Sequence, residues 1–90
     1  VKCAKLETTI TINFEDGMTI GHRTTESTKV AIRNISGYPT GKTILGAVAY
    51  PTTDIYGAIL WVDSSGSLRG VSKHAVTDYA VTILVFYKEP

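Results

Sequence analysis

The chain has 90 residues, 43% hydrophobic and 19% charged, which suffices for one modest core and is too apolar for a disordered chain. Nine basic and eight acidic residues leave a formal net charge of +1, so no electrostatic footprint for nucleic acid or an anionic membrane surface is present. Cys3 is the single cysteine, which excludes an internal disulfide, a Cys-x-x-Cys pair and a cysteine-based zinc site.

From Leu6 to Phe14 the side chains of Leu6, Thr8, Ile10, Ile12 and Phe14 face one way, and those of Glu7, Thr9, Thr11 and Asn13 the other. This is the pattern of a half-buried strand, closed by the turn residues Glu15-Asp16-Gly17. Met18 to His22 suits a short returning strand, residues 23–27 a polar loop or edge, and Val30 to Arg33 a third strand ending near Asn34. Ser36-Gly37-Tyr38-Pro39-Thr40-Gly41 has two glycines flanking a proline, a turn composition at which the chain reverses.

Ile44 to Tyr50 is too short for a helix, contains Gly46 and runs into Pro51. It reads as a strand with one face of small residues that can pack closely on a neighbour. Residues 51–57 form a loop, Ala58 to Val62 a strand carrying Trp61, and Asp63-Ser64-Ser65-Gly66 a hairpin turn returning through Leu68 to Val71. Ser72-Lys73-His74 opens the last loop. In the closing strand Val81, Ile83, Val85 and Tyr87 alternate with Thr82, Leu84 and Phe86, so both faces are apolar and both need cover. One cover is the domain's own core; the other is expected to be a second copy of the chain.

The total is about seven short strands with turn signals at the spacing of an all-β sandwich or barrel. The expected fold is therefore one antiparallel β-domain spanning residues 1–90. Pairing of an early strand with the last would be non-local and slow to form. The apolar runs stop well short of a membrane helix, so no membrane insertion is expected. Lacking an initiator Met, the chain is expected to be a C-terminal fragment or processed product of a longer one.

Chemical motifs are weak. Gly37 to Thr43 has three residues between its glycines where a phosphate-binding loop has four, and it opens into a strand rather than a helix. Asp63-Ser64-Ser65-Gly66-Ser67 has oxygen ligands that suit calcium, but one carboxylate is too little charge, and a hairpin turn wants the same residues. His22 and His74 lack metal-site spacing, and no nucleophile elbow or paired-carboxylate spacing appears. No enzyme activity, metal or cofactor is expected. Asn34-Ile35-Ser36 matches a glycosylation acceptor, a pattern common by chance.

Aromatic residues are more informative. Tyr38, Tyr50, Tyr56 and Tyr79 lie in or beside loops, and rings with polar tips near Asp and His suit sugar- or protein-binding surfaces as well as sealed core ends. Trp61, set among Ile59, Leu60 and Val62, is expected to be packing.

The turn Ser36 to Thr43 leading into Ile44 to Tyr50, the strand Ile59-Leu60-Trp61-Val62 with its Asp-Ser-Ser-Gly hairpin, and the closing strand Val81 to Tyr87 together resemble the C-terminal β-sandwich modules of phage tail fibres and baseplate receptor-binding proteins. The likeness is one of pattern over residues 28–88. It implies a homotrimer at a virion tail tip, or otherwise an extracellular surface, that binds host cell-surface saccharide. On this reading the chain is a non-enzymatic adhesion module, and the expected ligand-binding residues are Asp54, Tyr56, His74, Asp78 and Tyr79. The alternatives are a structural trimerisation module that binds no sugar and a small polysaccharide-processing domain.

Overall fold

Alternation of side chains accounts for most of the architecture. The computed structural model describes residues 1–12, 30–53, 58–72 and 75–90. Within them are strands β1 (Lys2–Ile12), β2 (Val30–Ala31), β3 (Thr43–Pro51), β4 (Ile59–Val62), β5 (Ser67–Val71) and β6 (Val76–Lys88), with one 3-10 turn at Ile32–Asn34. They form two three-stranded antiparallel sheets, β1-β6-β3 and β2-β5-β4. The fold is the expected small all-β one. The returning strand expected at Met18 to His22 and the end of the first strand at Phe14 lie outside the described residues.

β6 is the centre of the first sheet. Its odd positions Tyr79, Val81, Ile83 and Val85 are buried, opposite Ile10, Thr8, Leu6 and Ala4 of β1. On the other flank, Val81, Ile83 and Val85 face Pro51, Ala49 and Ala47 of β3. Leu68 and Ile32 come from the second sheet side to complete one buried cluster with Leu6, Ile10 and Ile12. Gly70 makes room both within the second sheet and toward β1: an added Cβ would lie 2.7 Å from Cδ2 of Leu60, its cross-strand partner on β4, and 3.2 Å from Ile12 Cδ1 of the other sheet. Hydrogen gives the backbone room that no side chain would leave.

Several elements differ from the sequence expectation. β1 begins at Lys2, four residues before Leu6, because pairing with β6 runs out to Lys2 opposite Tyr87 and backbone bonds do not need apolar side chains. Residues 30–33 do not form one strand: Val30 and Ala31 pair with Leu68 and Ser67, and the chain then turns. The Ile32 amide donates to the Gly66 carbonyl and the Ile35 amide to the Ile32 carbonyl, both at 3.0 Å. That turn delivers Ile32 into the core, and burial outweighs continued pairing.

β6 also starts earlier than expected, at Val76, so Asp78 and Tyr79 belong to a strand and not to the last loop. Ile10 faces Tyr79 and Ile12 faces Val76, which leaves Thr77 and Asp78 opposite Thr11 alone. Such a bulge accommodates an unusual backbone angle, and Asp78 has φ of 53°. Asp is among the few residues that accept it.

The Asp63 hairpin forms as its composition suggests. The Asp63 Oδ1 atom accepts the amides of Ser65 at 2.9 Å and Ser67 at 3.0 Å, and Gly66 supplies φ of 78°. The 36–41 turn likewise places Gly37 at φ 94° and Gly41 at φ 75°.

Candidate functional site

The outer face of β1-β6-β3 is built from the positions that alternate with the core residues. Register places them in rows across the sheet. Cys3, Phe86 and Gly46 form one row, Lys5, Leu84 and Val48 the next, then Glu7, Thr82 and Tyr50. Thr9 and Ala80 follow, with the Thr52 amide bonded to the Ala80 carbonyl at 3.0 Å. β1 thus contributes a charged margin, and β6 with β3 an apolar field.

β3 inverts the usual arrangement of a surface strand. Its core-facing residues Ala47 and Ala49 are small, whereas Val48 and Tyr50 on the outer face are 49% and 42% exposed. The register shift between Ile44 and Gly46 adds Leu45 as a bulged residue, 51% exposed. Leu84 and Phe86 on the central strand are half-buried by their neighbours. Large side chains placed outward, with alanines inward, leave an apolar field that is exposed among the described residues.

Polar groups bound this field at both ends. At one, the Thr52 and Thr82 hydroxyls share a hydrogen bond of 2.8 Å, and Thr82 is buried. Glu7, Thr8, Thr9, Thr52 and Ala80 line a shallow groove of about 310 Å³ there. At the other end Glu89 pairs with Lys42 and, at 3.6 Å, with Lys2, tying the start of β1, the approach to β3 and the end of β6. The hydrogen bond from Lys42 holds the Glu89 carboxyl below its ordinary range and raises the Lys42 ammonium above its own.

The second sheet has a smaller outer feature. Leu60 and Val62 turn toward the core, so Ile59 and Trp61 point outward, Trp61 with 38% exposure. Trp61 therefore lies at the surface, outside the buried cluster. It faces Arg69, whose guanidinium carbon lies 5.9 Å from the ring centroid, and Arg69 donates to Asp63 Oδ2 at 3.3 Å. The Ser67 amide, followed by the Ser65 amide and Arg69, holds the Asp63 carboxyl below the usual range against a partial desolvation.

Of the expected ligand-binding residues, Asp54, Tyr56 and His74 lie outside the described residues. Asp78 is exposed at the β6 bulge. Tyr79 is 5% exposed and belongs to the buried cluster, so its ring serves the core. Adjacent strand positions face opposite ways, which separates these two residues although they are neighbours in sequence. The exposed residues Val48 and Tyr50 were legible in principle from alternation within β3, and Trp61 from alternation within β4, whereas the exposure of Leu45 comes from the β3 bulge. Among the described residues, no three His, Cys, Asp or Glu side chains come together as metal ligands would.

No protein family, curated protein or solved structure matches this chain.

Proposed function

We propose that the chain is a non-enzymatic assembly module, a small β-sandwich that associates with copies of itself through the outer face of β1-β6-β3. The observation that carries this reading is the inversion on β3, with alanines toward the core and Val48, Tyr50 and Leu45 toward solvent. A strand that serves only its own fold gains by burying its larger side chains. Spending them on the outside is favourable where a partner covers them. The test is the mass in solution by light scattering across a dilution series, for the wild type and Val48→Asp. An oligomer that Val48→Asp converts to a folded monomer supports the reading; a wild-type monomer at every concentration refutes it.

A second reading, adhesion to host cell-surface carbohydrate by a viral tail-fibre or baseplate tip, draws on the resemblance in pattern and on the exposed Trp61 with Arg69 and Asp63 beside it. Aromatic faces flanked by hydrogen-bonding groups suit saccharides. Titration with host-surface saccharide, followed by amide NMR shifts, tests it: shifts at residues 51–57, 72–79 or around Trp61 support it, and none at saturating saccharide rejects it. A homotrimer, the symmetry that the resemblance implies, would be consistent with either reading.

A further inference from the structure

We infer that the outer face of β1-β6-β3 pairs with the same face of a second copy about a two-fold axis crossing the strands between the Lys5 and Glu7 rows. The inference rests on the assembly reading and specifies its partner and register. It departs from the three-fold arrangement that the resemblance implies.

The choice follows from the charged margin. Lys5 and Glu7 are both exposed on the outer face of β1, two residues apart, opposite Leu84 and Thr82. Two identical sheet faces can stack with the two-fold axis along the strands or across them. With the axis along the strands, β1 of one copy lies over β3 of the other, which sets Lys5 on Val48 and Glu7 on Tyr50. That buries charge against apolar groups and is costly. With the axis across the strands, β1 lies over β1, and the margin meets itself.

Three registers bring the charges of this margin onto one another. Centred on the Lys5 row, Lys5 meets Lys5; centred on the Glu7 row, Glu7 meets Glu7. Both place like charges together. Centred between the rows, Lys5 of each copy meets Glu7 of the other, giving two opposite-charge contacts. The apolar field also fits this register. Val48 meets Tyr50 and Phe86 meets Ala80, in each pair a larger side chain against a smaller one, while Leu84 lies over the row of Thr82, which is itself buried under its neighbours. Gly46 meets the Thr52 end of the face. Facing sheets lie about 10 Å apart, a gap that such pairs of side chains fill.

The area is sufficient. Nine residues of β3 at about 3.4 Å each, across three strands about 4.8 Å apart, define a patch of about 30 by 14 Å. With side-chain relief this is about 650 to 900 Å² of accessible surface for each copy, against about 800 Å² for each partner of a standard stable interface.

The experiment is sedimentation equilibrium of the full chain over a dilution series, with circular dichroism to check the fold. Four proteins are compared: wild type, Lys5→Glu, Glu7→Lys, and the double exchange Lys5→Glu/Glu7→Lys. The wild type should be a dimer, each single reversal should weaken it by about tenfold or more, and the double exchange should restore it. Since both side chains are exposed, the fold should survive; as a check that needs no variant, the wild-type dimer should weaken as salt rises. A trimer, single reversals without effect, a double exchange that fails to restore, or no salt dependence would overturn the two-fold pairing and leave self-association standing. A wild-type monomer throughout would remove the assembly reading and this inference with it.

Discussion

Gly70 offers a sharp test of how β5 packs on its sheet neighbour β4 and on β1 of the other sheet. An added Cβ would stand 2.7 Å from Leu60 Cδ2, 3.2 Å from Ile12 Cδ1 and 3.5 Å from Ile10 Cδ1. Ordinary carbon contacts lie at about 3.5 to 4.0 Å, so the first is an overlap of roughly 1 Å and the second a small one. Leu60 is only half-buried and its methyl is the far end of a flexible side chain, so it can swing at a cost of about 0.5–1.5 kcal/mol. Ile12 is fully buried and cannot. Against this, alanine restricts the unfolded chain and returns about 0.4–1 kcal/mol. Gly70→Ala should therefore destabilise by about 1 kcal/mol, and Gly70→Val, which adds two more carbons to the same gap, by about 3 kcal/mol. The overlap also predicts coupling. In a Leu60→Ala background the main obstacle is gone, and Gly70→Ala should become neutral or slightly stabilising, a non-additivity of about 1 kcal/mol. Urea unfolding of the four-protein cycle at one fixed protein concentration measures it. A Gly70→Ala variant more stable than wild type, with effects that add to those of Leu60→Ala, would refute the packing described for this glycine.

The two faces of β6 should respond differently to truncation. Ile83→Ala, in the fully buried row, should cost about 2–5 kcal/mol of folding stability, whereas Leu84→Ala should cost markedly less and act mainly on association, which comparison of urea midpoints with dilution masses resolves. Gly66→Ala should lose about 1–2 kcal/mol in urea unfolding, because φ of 78° at the hairpin disfavours any Cβ and no neighbour within 4 Å complicates the result. For pH, the depressed carboxyl of Asp63 supports the fold at values above its unfolded range near about 4 and withdraws that support as pH falls through its lower folded value. Thermal melts between pH 6 and pH 2 should therefore fall less steeply for Asp63→Asn than for wild type; equal slopes would show that the Ser67, Ser65 and Arg69 contacts do not hold this carboxylate.

Alternation and turn chemistry are local properties, and they are what the sequence by itself determined. Leu6, Ile10 and Ile12 declare a half-buried strand, Asp63 to Gly66 a hairpin, and Val81 to Tyr87 a strand needing cover on two sides, because the period of a strand and the φ demands of a turn are written in neighbouring residues. Pairing and orientation belong to the tertiary structure. Placing β6 between β1 and β3 decides which of its apolar faces enters the core, and the backbone ladder extends β1 back to Lys2 where side chains give no sign of it. The pairing of β6 with β1 runs back through Tyr79 opposite Ile10, which gives Tyr79 the core-facing side it shares with Val81 and takes it from an expected binding loop into the core, and the inward turn of Leu60 and Val62 sends Trp61 to the surface. Each of these depends on contacts between residues far apart in the chain. A composition or a local period cannot carry that information, since a one-residue change of register exchanges the buried and exposed faces of a strand.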